Sequence, residues 1–117
     1  MKKNEKNRLV FFNGKFVPEK DAKLSIYDSA LMFGDMVFEM TRSFNKKQFL
    51  LDEHVDRLLS GLKILRIKIK YSKNDLIKIC KKVVEANEKT MSKNDEHRLM
   101  IDVSRGLLGI YENTQDA

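Results

Sequence analysis

The stretch that decides the fold is FGDMVFEMTR, residues 33–42. From residue 37 to residue 44 the side chains alternate in character, and this period of two predicts a β-strand. One side of that strand would carry Val37, Glu39, Thr41 and Ser43, and the other Phe38, Met40, Arg42 and Phe44. Because Glu39 and Arg42 then lie on opposite faces, neither face of the strand is simply apolar.

Downstream of this strand the sequence predicts a turn at residues 45–47 and a short partner strand at residues 48–51. EHVDRL, residues 53–58, then opens a predicted helix over residues 53–66, with Asp52 as its N-cap. The apolar residues of this helix recur at helical spacing: Val55, Leu58, Leu59, Leu62 and Leu65.

A second amphipathic helix is predicted from Ser72 to about residue 91, where Ser72 and Asp75 have the spacing of a capping box. Residues 98–104 alternate and predict a closing strand, which Gly106 would end.

Upstream, residues 8–13 (RLVFFN) are a short, mainly apolar run that ends at Asn13-Gly14, the strongest short-range signal for a β-hairpin. Pro18 limits the returning strand. Residues 19–29 are polar and predict a surface connection. Hairpins together with two consecutive helices predict an α+β domain built on an antiparallel sheet.

Length and composition limit the alternatives. A chain of 117 residues with 42% hydrophobic content is the size of one domain and can bury one core. No apolar run approaches the roughly 20 residues of a transmembrane helix, and no apolar signal segment follows the basic residues 1–7. We therefore predict a cytoplasmic protein with no membrane partner. Cys80, the only cysteine, falls on the apolar side of the second helix and is expected to be a buried, inert thiol.

The formal charge of +6 is compatible with a polyanionic partner, but the lysines are scattered rather than grouped, so we predict no nucleic-acid binding. The sequence has no Gly-rich phosphate loop, nucleophile elbow or zinc-type Cys/His spacing. It therefore predicts no metal site and no catalytic residue in this chain.

A series of short motifs nevertheless occurs in order between residues 13 and 58: Asn13-Gly14, Val17-Pro18, Asp21-Ala22, Ser25, Tyr27-Asp28, FGDMVFEMTR, Phe49-Leu50 and EHVDRL. The array resembles the small N-terminal domain of class IV (fold type IV) pyridoxal-phosphate (PLP) aminotransferases, over about residues 8–106. That family includes branched-chain and D-amino acid aminotransferases, R-selective amine transaminases and aminodeoxychorismate lyase; the branched-chain enzymes look nearest. The resemblance implies a homodimer that moves an amino group between an amino acid and a 2-oxo acid through PLP.

Arg57 is the cofactor-binding residue that this resemblance implies, because in the family the arginine of the helix motif binds the cofactor phosphate. A guanidinium is always charged and matches phosphate oxygens with a fork of donors. The alternative is a surface arginine paired with Glu53, four residues earlier on the helix. His54, in the same motif, is expected to be a structural hydrogen-bonding residue.

On the substrate side the resemblance implies Phe33, Phe38, Arg42 and Tyr111. The two phenylalanines could instead be ordinary core residues. Arg42, on a face with apolar neighbours, needs an anionic partner, which could be Glu39 if the strand bends, another acid or a substrate carboxylate. Tyr111 could instead belong to a linker.

By the same resemblance, residues 1–7 are a flexible basic N-terminus, 8–106 the small domain, and 107–117 an interdomain loop or truncated linker. The Schiff-base lysine of the family lies in a second domain, and none of the lysines here matches it. We therefore expect this chain alone to be inactive, to retain PLP poorly and to self-associate through apolar surface that a second domain would cover.

The substrate is less well defined. Where D-amino acid aminotransferases carry an Arg-x-His carboxylate trap, this chain has Ile110 and Glu112, which disfavours that activity. Where branched-chain enzymes usually have a glycine it has Met40, and where they tend to have an arginine it has Met100. Aminodeoxychorismate lyase and D-amino acid aminotransferase stay as alternatives within the family. Outside it, the alternatives are a complete non-catalytic binding or assembly module and a basic nucleic-acid binder.

Overall fold

The computed structural model describes residues 7–111, and the first feature along the chain is a β-hairpin. Strand β1, Leu9–Phe12, pairs antiparallel with strand β2, Lys15–Pro18. Asn13 and Gly14 form the turn with φ of 48° and 94°, in the left-handed region that Asn and Gly tolerate best. The hairpin predicted from Asn-Gly is confirmed.

The central sheet has three antiparallel strands in the order β4-β3-β5. They are β3, Met36–Phe44; β4, Lys47–Gln48; and β5, Arg98–Ser104. Met40 lies directly opposite Met100, and this register runs the length of β5. Strand β5 has the predicted bounds and β3 begins one residue earlier than predicted. Strand β4 is shorter than predicted because Leu50 turns into the left-handed conformation, with φ of 55°, before the next helix.

A short helix α1, Ser29–Phe33, begins where the sequence predicted only a polar connection. The Asp28 carboxylate caps it by accepting a hydrogen bond of 2.9 Å from the amide of Ala30. Gly34, with φ of 69°, ends it in the left-handed conformation typical of a helix C-terminus. Five residues are too few for a detectable helical period, which is why the sequence pattern missed this element.

The two longer helices are α2, Leu51–Leu65, and α3, Lys73–Ala86. Helix α2 begins before Asp52, so the prediction that Asp52 is its N-cap is wrong; the helix follows Leu50, and no side chain caps it. Ser72 and Asp75 form the predicted capping box at the start of α3. Helix α3 ends about five residues earlier than predicted, and a 3₁₀ turn at Glu88–Thr90 follows.

The core lies between the helices and the inner face of the central sheet. Val55 and Leu58 of α2 have no exposed surface, and Gly61 brings the same helix close to β3. A Cβ at Gly61 would stand 3.0 Å from Val37 Cγ1, so a larger residue would push the helix away from the sheet. The buried apolar residues are Leu51, Val55, Leu58, Leu62, Ile67, Leu76, Cys80 and Leu99.

Asn87 joins the hairpin to the end of α3. Its side-chain amide accepts a hydrogen bond of 2.8 Å from the backbone amide of Leu9 and donates one of 2.9 Å to the Leu9 carbonyl. The side chain thus pairs with β1 much as a neighbouring strand would. Cys80 is buried as predicted, and burial raises the pKa of its thiol to about 11, which keeps it protonated.

The α+β class predicted from the sequence is confirmed by this arrangement of antiparallel sheets and helices. Between residues 7 and 111, no helix is both long and apolar enough to cross a bilayer.

Candidate functional site

Strand β3 buries polar side chains and exposes apolar ones. The alternation predicted along it is confirmed: Glu39, Thr41 and Ser43 are buried on the side of α2, at 4%, 3% and 0% exposure. Phe38, Met40, Arg42 and Phe44 are exposed on the other side, which we call the outer face. A charged residue buried under the helix needs a partner, because an unpaired buried carboxylate is strongly disfavoured.

Glu39 finds two partners on α2. Its carboxylate accepts hydrogen bonds from Arg57, at 2.6 Å from Nε and 2.8 Å from Nη2, and lies 2.8 Å from Nδ1 of His54. The hydrogen bond from Arg57, assisted by His54 and opposed by burial, lowers the pKa of Glu39 from 4.5 to about 2. Glu39 is therefore ionised at neutral pH, and it raises the pKa of Arg57.

Helix α2 sets the geometry of this cluster. His54 and Arg57 are three residues apart, so they project from neighbouring positions of one helical face towards β3. The fully buried Val55 and Leu58 alternate with them and fix the helix against the sheet. The two alternative pairings considered for these residues do not occur: Arg57 pairs with Glu39 rather than with Glu53, and Glu39 pairs with α2 rather than with Arg42. His54 makes a hydrogen bond to Glu39, as expected of a structural residue.

The guanidinium of Arg57 is hydrogen-bonded along one edge only. Nε and Nη2 contact Glu39, yet 73% of the side chain is exposed. A guanidinium has five N–H groups, and this side-on pairing uses two of them. Within residues 7–111, Glu39 is the only hydrogen-bond partner of Arg57, so the N–H groups of Nη1 have no hydrogen-bond partner in that part of the chain. That free edge can donate two parallel hydrogen bonds to an oxyanion.

The outer face holds two of the residues expected on the substrate side. Phe38 is 59% exposed, so ordinary core is not its environment in this structure. The guanidinium carbon of Arg42 lies 4.0 Å from the centre of the Phe44 ring, and Arg42 Nε donates to the Ser43 carbonyl at 3.0 Å. Directly across the sheet from Arg42 stands Arg98. Two facing cations favour an anion at this end of the face.

The structure separates the predicted cofactor residue from the predicted substrate residues. Arg57 lies on the α2 side of β3, whereas Phe38 and Arg42 lie on the outer face. One edge of β3 is unpaired over most of its length, because β4 pairs only with Ser43 and Phe44. Residues 36–41 have no strand beside them on that edge in the described chain.

The other two predicted residues are farther along the chain. Phe33 is the last residue of α1 and is 65% exposed, so it too lies outside the core. The backbone of Tyr111 ends the short 3₁₀ turn Gly109–Tyr111, but its side chain and residues 112–117 lie outside the described residues. No cluster of metal-binding side chains occurs in the part of the chain that the structure describes.

Glu39 is the site residue that the sequence did not assign. The alternation of β3 placed Glu39 on the other face of the strand from Arg42. No local sequence pattern linked it to Arg57, which comes 18 residues later. Only the packing of α2 across β3 brings these two side chains together.

Comparison with known proteins agrees with this architecture. The family model for class IV amino-transferases matches residues 36–117. A protein of Methanocaldococcus jannaschii, provisionally named a branched-chain-amino-acid aminotransferase, is 42% identical over 78 residues, which are 67% of this chain and 27% of that protein. Aminodeoxychorismate lyase of Bacillus subtilis is 33% identical over 99 residues, 85% of this chain and 33% of the lyase. D-alanine aminotransferases of Staphylococcus aureus are also similar.

Among solved structures, branched-chain amino acid aminotransferase of Escherichia coli superposes with a TM-score of 0.78 at 28% identity. The match covers 90% of this chain and 34% of that enzyme. The chain thus spans between about a quarter and a third of the length of the relatives it matches. It has the fold of the N-terminal domain of these proteins and belongs to the PLP-dependent class IV aminotransferase family.

Proposed function

We propose that residues 8–106 form the small domain of a PLP-dependent aminotransferase that moves an amino group between an amino acid and a 2-oxo acid. One observation carries this proposal: Arg57 is held side-on by a buried, ionised Glu39 and keeps its outer edge free for an oxyanion. A phosphate monoester fits that edge, because a guanidinium binds two phosphate oxygens at once.

PLP, when bound, supplies the electron sink that stabilises negative charge on the carbon carrying the amino group. The residues of this chain bind and orient. Arg57 would hold the phosphate, and Phe38 would provide an apolar wall on the other side of the open edge of β3. In the proposed site Phe33, Arg42 and Tyr111 lie on the substrate side, with Arg42 available to a carboxylate.

For the substrate we propose an amino acid with an apolar side chain, such as a branched-chain amino acid. The exposed Phe38 and Met40 favour an apolar group, and the positive charges of Arg42 and Arg98, which are directly opposite each other in the sheet, favour a carboxylate beside it. Because relatives with lyase and D-alanine aminotransferase activity match this chain as well, a direct substrate screen must include D-alanine and aminodeoxychorismate.

We also propose that these 117 residues, prepared by themselves, are inactive and lose PLP on dialysis, since none of their lysines matches the Schiff-base lysine of the family. Self-association through the exposed outer face and a cytoplasmic location complete the proposal. Yellow absorbance that remains after dialysis would contradict the proposed loss of PLP. A monomer in analytical ultracentrifugation would contradict the proposed self-association.

The test of the central claim is Arg57→Met in the protein at its native length, with PLP and its dephosphorylated form, pyridoxal, as matched ligands. Loss of a charge-assisted contact should weaken PLP binding about tenfold to a hundredfold. Pyridoxal binding should change less than about twofold, because it lacks the group that Arg57 contacts. Arg8→Met, which removes an arginine paired with Glu19 on the hairpin side, is the control. Equal losses for both ligands, or no loss for PLP, would refute the assignment of Arg57.

A further inference from the structure

Resting on the proposed function of Arg57, we infer that Glu39 is a positioning residue, which presents the guanidinium of Arg57 to the phosphate and fixes the tautomer of His54. Three contacts meet at its carboxylate, at 2.6, 2.8 and 2.8 Å, and its side chain is only 5% exposed. A carboxylate with this burial is a fixed point in the fold rather than a mobile surface group.

The fixed carboxylate determines the direction of Arg57. An exposed arginine has several rotatable bonds, and binding a ligand would normally have to order all of them. Here the pairing through Nε and Nη2 already sets the plane of the guanidinium. The N–H groups left over point away from Glu39, so the phosphate meets a donor edge that is in place before binding.

The same carboxylate determines which nitrogen of His54 carries the proton. An ionised carboxylate can only accept hydrogen bonds, and it lies 2.8 Å from Nδ1. Nδ1 must therefore donate, so neutral His54 is the Nδ1–H tautomer and its Nε2 carries the lone pair. The Nδ1–H tautomer is the less common one for an imidazole in water. It can be observed in the protein without any ligand.

Stability alone does not require this arrangement. A buried ion pair commonly contributes little to stability compared with apolar residues of similar volume, because both charges lose water. In this pair the cost falls on Glu39, which is buried, while Arg57 stays largely in solvent. Such asymmetry suits a group that must be held at one end and remain accessible at the other.

The experiment is a double-mutant cycle on the protein at its native length, with PLP and pyridoxal as ligands. Glu39→Gln should weaken PLP binding about tenfold, since the ligand must now order Arg57 itself, and should leave pyridoxal within about twofold. In the Arg57→Met background, Glu39→Gln should cause no further loss, because Glu39 acts only through Arg57. Glu53→Gln, which removes an exposed carboxylate one helical turn before Arg57, is the matched control and should leave PLP binding unchanged.

Each outcome separates the two proposals. If Arg57→Met weakens PLP and Glu39→Gln does not, the positioning role is wrong and the proposed function stands. If Glu39→Gln weakens PLP by the same factor in both backgrounds, its effect is a general structural one and the inference also fails. If Arg57→Met leaves PLP binding unchanged, the proposed function itself fails.

A measurement on the unsubstituted protein covers the case in which Glu39→Gln does not fold. ¹⁵N NMR of histidine-labelled protein should show, for the neutral imidazole of His54, a protonated Nδ1 and a lone-pair Nε2. Assignment of the resonance uses His54→Gln. The opposite tautomer would overturn the inference.

Discussion

Replacing Glu39 by glutamine should make the stability of the protein depend on pH in a way that reveals the buried charge. In the folded state Arg57 and His54 keep the pKa of Glu39 at about 2, against 4.5 for an unperturbed glutamate. A group whose pKa is lower in the folded state stabilises that state above its unfolded pKa and loses this contribution as the pH falls towards its folded pKa. Glutamine has nearly the same shape but no charge to titrate.

The magnitude follows from the size of this change. At about 1.4 kcal/mol per pKa unit, the shift sets a ceiling of about 3 kcal/mol. Arg57 is 73% exposed, so water screens the pair and reduces this value. We therefore expect Glu39→Gln to lower the free energy of unfolding by about 1–2 kcal/mol at pH 7.

Urea titrations at pH 7, 5, 4 and 3 would measure this difference, with Glu53→Gln as the control for loss of an exposed carboxylate. The two proteins should differ most at neutral pH, and the gap should close progressively below about pH 4.5 as the unfolded glutamate takes up its proton. A gap of constant size across the whole range would show that packing, not ionisation, distinguishes Glu39 from glutamine.

Three further substitutions test the packing that supports the site. Asn87→Ala should cost about 1–3 kcal/mol, because the amide and carbonyl of Leu9 lose their partner; unchanged hydrogen exchange at the Leu9 amide would contradict this. Leu58→Ala should cost about 2–5 kcal/mol in a urea titration, since the side chain is fully buried. Arg105→Ala should lower the thermal midpoint, because Arg105 joins Asp35 to the carbonyls of Leu65 and Arg66 at the end of α2; an unchanged midpoint would show that these contacts do not stabilise the fold.

The parts of the fold that the sequence predicted well are those determined by short-range chemistry. Asn13-Gly14 defines its turn because both residues tolerate positive φ, and Ser72 with Asp75 defines a helix start through two reciprocal hydrogen bonds. The start of α2 was mispredicted for a complementary reason. Asp52 is a good N-cap by type, but Leu50 adopts a left-handed conformation that few sequences would suggest, and the helix begins directly after it.

The candidate site could be predicted only in part. Arg57 was assigned through its motif and the chemistry of its guanidinium, and its cofactor role stays a prediction; the alternation of β3 correctly put Glu39 on the face away from Arg42. Neither signal could join Glu39 to Arg57, because that contact depends on where α2 crosses the sheet. The crossing is set by tertiary packing, including the close approach of Gly61 to Val37, which no local pattern encodes.

Strand β3 differs from a strand in an ordinary sheet with one solvated face, because its polar side chains are buried and its apolar side chains are exposed. A strand in such an ordinary sheet usually buries its apolar side and exposes its polar side. Here Glu39 is buried, whereas Phe38 is 59% and Met40 44% exposed. The exposed half of this pattern is unfavourable for an isolated domain, since it leaves apolar surface in water, whereas the buried charge of Glu39 is compensated by its contacts with Arg57 and His54. In the proposed site both halves have a role: the buried charge of Glu39 orients Arg57 towards a phosphorylated ligand, and an apolar partner surface would cover the outer face.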